Sequence, residues 1–367
     1  AFIKSSGEFH ESCLNVNIFN FRKYQAYENL VNSLGGLPVV NENWDKQFNI
    51  ATTLATLRLY GVSAFIYEYT TKNYVYVKKD VEFGLLPITL DDLNKISSKM
   101  YNINKRLMYV LMTWYGADED DAWDTAEEIL QFGKRFLTKL QSIPDGRNKH
   151  KNISSLYDEY PYINWQVYFD TLFGYPVDPS FKVIVYNLNH FKHFPDLFPE
   201  EDKKIIANYL QQFQHLLFEL HEELKSIQYP KNFCVKQTQR WFDPIPNIMY
   251  ISNEFYDDSV EENVTAMAND IRTIFKEAIL NADWLDNTTK MGAVEKLMAI
   301  NILVGSPNIS EDIETFNEFY RELKINPKEY EQNILNVRRF KTITSHQQLI
   351  LRNSIQAKVD IEVNAKY

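Results

Sequence analysis

Glycine is scarce in this chain, 11 residues among 367, against 23 Tyr and 24 Phe. Few flexible joints and many large side chains disfavour a turn-rich β architecture and favour packed helices. Clustered positive charge is also missing. No basic run exceeds a pair such as Lys78-Lys79 or Arg338-Arg339, and the net charge is −10. Phosphate binding needs a basic stripe, so this balance argues against nucleic acid as a partner. No apolar run is long enough to span a bilayer; the best, RLMYVLMTWYG, is too short and begins with Arg106. No signal-like segment follows Ala1, so a targeting element is expected to have been removed or never included.

Catalytic signatures are equally thin. A zinc-protease helix places His at i and i+4 with a Glu between them, and none of the seven His residues has such a partner. His215 and His221 are six apart, about 600° of helical rotation, and so point to different faces. The pair in HFKH, His190 and His193, reads as solvated or core histidine. Gly35-Gly36 runs into Leu37-Pro38, which is a turn and not a phosphate cradle, and no GxSxG elbow is present. The carboxylate pairs Glu222-Glu223 and Glu261-Glu262 look like solvated helix faces. From the residues alone, neither a catalytic set nor a metal site is expected.

What is present is a globular composition, 45% hydrophobic and 24% charged, with length for one large core or two moderate ones. Helices dominate. Thr89 with Asp92 forms an acidic capping box, and Leu93, Ile96, Met100, Ile103, Leu107, Val110 and Trp114 then share one face up to Gly116. A second helix opens on Asp118–Asp121, where carboxylates meet the helix dipole. It is expected to bury Trp123, Ala126, Leu130, Leu137 and Leu140 before Pro144. A third starts near Pro199 and carries Ile206, Leu210, Phe213, Leu217, Leu220 and Leu224 towards Pro230. A fourth, about 260–283, places Val264, Met267, Ile271, Phe275 and Ile279 on one side. Shorter helices are expected around 290–300, 313–323 and 327–339. YVYVK, Tyr74–Lys78, is the one clear internal strand, and the terminal VDIEVNAKY alternates like another. Cys13 and Cys234 are compatible with free buried thiols or with a disulfide. Sequons at Asn152, Asn263, Asn287 and Asn308 are glycosylation candidates that permit a secreted location.

Several stretches, in order along the chain, resemble the neprilysin family of zinc peptidases. The clearest is DWLDNTTKMGAVEKLMAINILVGSP, whose Trp284, Leu285, Asp286, Thr289, Ala293, Lys296, Gly305 and Pro307 fall on the family's offsets. FHESC, LGGLPVVNENW with Trp44, FGLLP at Phe83–Pro87, the 21-residue spacing from Cys234 to Phe255, and VNAKY are similar to family segments as well. The resemblance implies a mainly α fold: a multi-helical lobe with a minor β component, over 1–345. Residues 346–367 then form the connecting segment and first strand of a catalytic domain that this chain does not contain. The lobe would be the lid of a substrate chamber.

The resemblance further implies that Asn364 and Ala365 bind the backbone of a peptide substrate, and that Cys13 pairs with Cys234 outside the cytosol. Zinc, with its His-Glu-x-x-His helix, is expected only in the missing part, so this chain alone should be inactive. The same resemblance points to an extracellular or cell-surface ectodomain, with room for a membrane anchor before Ala1. Lys366 departs from the aromatic usual at its position, and Gly133 and Gly292 interrupt helices at about 1 kcal/mol each against Ala. Two alternatives stand beside the peptidase fragment. One is a catalytically inactive secreted relative that binds peptides or partners; the other is an unrelated intracellular scaffold with free thiols.

Overall fold

The computed structural model describes residues 2–15, 25–41, 44, 48–71, 74–80, 83–199, 202–212, 230–242, 258–302, 304 and 317–351. The chain divides into two compact units, a larger one of Glu11–Cys234 and Leu323–Ser354 and a smaller one that includes Ala1–His10 and Val235–Glu322.

In chain order the helices are α1 (Phe2–Leu14), α2 (Gln25–Ser33), α3 (Ile50–Leu59), α4 (Leu90–Leu93), α5 (Lys99–Trp114), α6 (Glu119–Ser142), α7 (Ile153–Glu159), α8 (Trp165–Phe173), α9 (Leu188–Lys192), α10 (Phe194–Leu197), α11 (Lys203–Gln212), α12 (Pro230–Trp241), α13 (Asp258–Asn281), α14 (Asn287–Met298) and α15 (Tyr330–Leu351). Four short strands, β1 (Ile66–Thr70), β2 (Val75–Lys79), β3 (Lys149–Asn152) and β4 (Lys182–Val185), form one sheet in the order β1-β2-β4-β3. The β2–β4 pairing is parallel and the other two are antiparallel. The mainly α fold with a minor β component is therefore what the chain adopts.

The core of the larger unit is aromatic. The ring of Phe65 meets those of Phe132, Phe136, Phe198 and Tyr209, and Phe83 stacks on Tyr209 at 4.5 Å and 14°. Edge-to-face and offset pairs of this kind add to the gain from burying large rings. Phe65 itself has a left-handed backbone, φ 59°. After Phe83 the chain turns through Gly84 at φ 94°, where an added Cβ would lie 2.5 Å from the Leu86 carbonyl oxygen. The buried amide of Asn104 closes that turn, accepting from Leu86 N–H and donating to Leu86 C=O. This is the FGLLP segment, fixed by its own geometry.

Three expectations from the sequence need correction. The helix read from Thr89 to Gly116 is two helices. The capping box at Thr89 and Asp92 forms, but α4 stops after one turn and Asp92 also accepts from Ser98 Oγ. The break resets the phase, so α5 buries Tyr101, Asn104, Met108, Leu111 and Met112, while Ile96, Val110 and Trp114 are exposed. On α6, Ala126, Leu130, Leu137 and Leu140 are buried as expected. Trp123 instead lies half out of the protein, against Tyr109 and beneath the Lys105 ammonium. Finally, the last described helix runs to Leu351 and not Arg339. Ile206 and Leu210 are buried on α11, and Phe213, Leu217, Leu220 and Leu224 lie outside the described residues.

Gly133 is the instructive glycine. A Cβ there would sit 2.1 Å from Phe83 Cε1, because the ring packs directly against Gly133. At Gly292 on α14 nothing comes within 4 Å. Gly133→Ala is accordingly expected to destabilise by about 1–3 kcal/mol through overpacking, despite better helix propensity. Gly292→Ala is expected to stabilise by about 1 kcal/mol. Urea unfolding of the two variants beside the parent chain measures both.

Candidate functional site

The largest concentration of buried charge lies where α3, β1 and α15 meet. Glu68 points inward from β1 and is fully buried, with the fully buried Ile66 one pleat away. Its Oε1 lies 2.6 Å from Arg58 Nε, a close ionic contact whose N–H is not aimed along it. Arg58 Nη2 also donates to the Glu68 carbonyl at 3.1 Å. On the other side, Glu68 Oε2 lies 3.1 Å from His346 Nε2, and His346 Nδ1 faces the Thr342 carbonyl at 2.7 Å, so both ring nitrogens face acceptor oxygens. The imidazole packs edge-on to Phe173, and the next residue, Gln347, donates to the Phe173 carbonyl. Burial alone would raise the Glu68 pKa. The hydrogen bond and charge of His346, with Arg58, outweigh it and hold the carboxyl below its usual range. Tyr168, also fully buried and close to this charge, is pushed far up, first by burial and then by Glu68.

This cluster has the residue types of a catalytic site but not the access. Glu68 and His346 are shut off from solvent and only Arg58 reaches it in part, and what the cluster does is tie α15 to the lobe. A buried pair stripped of one partner leaves an uncompensated charge. Glu68→Gln is therefore expected to cost about 3–5 kcal/mol in urea unfolding. Glu68 titrates lower in the fold than in the unfolded chain. Its contribution is thus complete above the ordinary value near 4.5 and is lost as pH falls through the depressed folded value.

The other histidines disperse. His190 is wholly buried between Phe191 and Phe194, with no hydrogen-bond partner on either ring nitrogen among the described residues. Burial, then Lys79 and His193, push its pKa down to about 3. His193 pairs with Asp196 on the surface at 2.9 Å, and His10 bonds Thr238 Oγ1. His215 and His221 lie outside the described residues, as do Glu222 and Glu223. Among the described residues no group of three or more His, Cys, Asp or Glu comes together to hold a metal ion. The unfolded chain protonates His190 near pH 6.5, whereas the fold resists to about 3, so this residue makes stability fall as pH drops between those values. His190→Phe is expected to flatten that part of the stability–pH curve.

Cys13 and Cys234 form a disulfide, with Cα atoms 5.6 Å apart and 221 positions between them in sequence. Closing so long a loop stabilises by about 3–5 kcal/mol, chiefly through the unfolded state. Of the sequon asparagines, Asn152 is half-buried and caps α7 by accepting from Ser155 N–H. Asn263 and Asn287 are exposed on α13 and at the start of α14, and Asn308 lies outside the described residues. The substrate positions Asn364 and Ala365, with the rest of the terminal strand, lie outside them too.

In the smaller unit, Asp286 caps α14 by accepting from Thr289 N–H and Thr289 Oγ1. The apolar side of α13 is not buried. Val264, Met267, Ile271, Ile274 and Phe275 are exposed, and so are Met291 and Met298 on α14; Trp284, between the helices, is 84% exposed. Apolar patches of this extent are uncommon on the surface of a folded domain.

Comparison with known proteins places this geometry. A sequence profile for the N-terminal part of Peptidase family M13 matches residues 3–307. Among curated proteins the chain is similar to Neprilysin-1 of Trittame loki, 22% identical over 91% of this chain and 52% of that one. It is similar also to Endothelin-converting enzyme 1 of Bos taurus, 23% identical over 89% of this chain and 47% of that one. The chain thus spans about half the length of the curated relatives it matches. Its fold resembles a Mycobacterium tuberculosis zinc metalloprotease in its open state, with TM-score 0.68 and 13% identity over 95% of this chain and 56% of that one. PepO of Lactobacillus rhamnosis follows at TM-score 0.63 and 14% identity, over 95% of this chain and 57% of that one.

Proposed function

Since this chain belongs to peptidase family M13, we propose that it is the N-terminal portion of a neprilysin-like zinc metalloendopeptidase that cleaves peptides. Residues 1–345 form the lid of the substrate chamber. Residues 346–367 carry the chain to a cleft-edge strand on which Asn364 and Ala365 hold the substrate backbone, an Asn amide both donating and accepting along an extended peptide. Zinc is held by the partner portion; the described residues bring no three ligands together, so no step is assigned to the metal here. The observation that carries this reading is the family match across residues 3–307.

The exposed apolar side of α13 and α14 supports it. A helix pair with Met267, Ile271, Phe275 and Trp284 in water is half of an interface, and the catalytic portion is the body that covers it. The disulfide fits an oxidising compartment and hence an extracellular or cell-surface protein. Asn152, Asn263, Asn287 and Asn308 are its glycan acceptors.

The intact mass of the protein from its natural source, after deglycosylation, tests this directly. A species well above 43.3 kDa that hydrolyses a quenched peptide, and stops on chelation, is the expected result. The 367-residue chain alone is expected to show no such activity with or without zinc. A natural species of 43.3 kDa and no larger one would replace this reading with that of an inactive binding protein. In the complete protein, Ile271→Asp with Phe275→Asp is expected to reduce activity at least tenfold, since two buried charges against an apolar partner cost more than the 1.4 kcal/mol that tenfold represents.

A further inference from the structure

The outward face of the sheet is a cluster of tyrosines. Strand alternation puts Tyr67 and Tyr69 of β1 on that face, with Tyr76 and Lys78 of β2 directly opposite them. Tyr74 leads into β2, Tyr186 follows β4, and His150 of β3 completes the row opposite Ile184. The tyrosines are half-buried or exposed, and Lys78, Lys182 and His150 are exposed.

The rings stand on edge. Tyr69 and Tyr76 stack at 4.9 Å with planes 7° apart, and Tyr76 and Tyr186 at 5.6 Å and 28°. Tyr74 meets both Tyr76 and His150 edge to face. Rings stacked across neighbouring strands turn their edges outward, and the Tyr69 and Tyr186 hydroxyls are hydrogen-bonded to each other, which leaves one of that pair and Tyr76 to donate outward. Aromatic edges carry the positive part of the ring quadrupole, and phenol O–H groups donate. The Lys78 ammonium lies 4.6 Å from the Tyr67 centroid and 5.9 Å from that of Tyr69.

Charge on this face has one sign. Its only strand carboxylate, Glu68, points the other way into the core. Lys79 and Lys151 are paired with Asp145 and Glu159. Lys78 and Lys182 are exposed and have no ion pair among the described residues. In a chain of net charge −10, this is a local electropositive surface of donors spaced by the strand separation of about 4.8 Å.

We propose that the tyrosine face of the β1-β2-β4-β3 sheet binds a sulfated polysaccharide, its sulfate and carboxylate groups accepting from the Tyr76 hydroxyl, from one hydroxyl of the Tyr69–Tyr186 pair, and from Lys78 and Lys182. An extended polyanion fits a flat face with repeated donors and needs no pocket. This polymer class belongs outside the cell, so its biological meaning rests on the extracellular reading above. The binding itself does not, and it is measured apart from peptidase activity.

The probe is heparin, titrated against the 367-residue chain over a salt series. Binding that weakens steeply with salt is expected. Lys78→Gln with Lys182→Gln is expected to lower affinity about tenfold in 50 mM salt, by loss of two of the contacts that make it salt-dependent. Tyr69→Phe, Tyr76→Phe and Tyr186→Phe together keep the stacked rings and remove two outward donors, and a loss of about threefold is expected. Lys134→Gln with Lys139→Gln on α6 makes the same change in net charge elsewhere and is expected to have less than a twofold effect. Equal losses in the two lysine pairs would reduce the effect to net charge and overturn the proposal. So would an absence of heparin binding, or tighter binding of a glutamate-rich peptide than of heparin.

Discussion

One buried carboxylate holds the larger unit in register. Glu68 sits where an apolar side chain would be expected on the inner face of β1, and it is matched by Arg58 from α3 and by His346, 278 positions away on α15. Side chains alternate along a strand, so a one-residue slip of β1 would send Glu68 to solvent and turn Tyr67 and Tyr69 into the core. The ion pairs penalise that slip by leaving Arg58 and His346 buried without their partner. The outward tyrosines, the inward Ile66 and the position of α15 therefore share a single cause. Hydrophobic burial alone would tolerate several arrangements of such short strands.

The same residue explains why the sheet was hard to read. IYEYT has the alternation of a strand, but its inward position is a glutamate, which breaks the apolar pattern that sequence reasoning looks for. β3, KHKN, has no apolar residue at all; it is an edge whose lysines discourage further pairing. β4 is four residues long. Only β2, with Val75 and Val77 buried between polar neighbours, announced itself. The helices were legible because their signals are local. Thr89 caps the helix it was expected to cap, and α6 opens on its acidic run as expected, with Asp118 as the cap. Which face the helix after Thr89 buries was less legible, because a break of five residues after α4 shifts the phase of α5. Nothing in the sequence marks Gly133 as the seat of the Phe83 ring; that contact exists only once the FGLLP turn is folded.

The smaller unit poses the reverse case. The apolar stripe of α13 was read correctly as a stripe, yet its members are exposed. A periodic apolar face states that something will cover it, and not that the cover lies in the same segment of chain. The residues by which the chain resembles neprilysins are concentrated here. Of these, Trp284 is the most exposed large apolar side chain among the described residues and Leu285 its half-buried neighbour. Helix capping accounts for Asp286 and Thr289 within the hairpin, but no contact within the hairpin accounts for Trp284.

Both observations bear on the lid role proposed for the lobe. A lid must be rigid in itself and must hand the chain on from a fixed point. The larger unit supplies rigidity through a core of interlocked rings and a disulfide across 221 positions. It supplies the fixed point through His346 and Gln347, both tied to the lobe within the last two turns of the described α15. A charge contact suits this task better than an apolar one of equal strength. Apolar helices can rotate or slide by a fraction of a turn at small cost, whereas a buried carboxylate between a guanidinium and an imidazole has one arrangement that satisfies all three. The seating of the last described turns of α15 on the lobe is thereby set by the contact of His346 with Glu68.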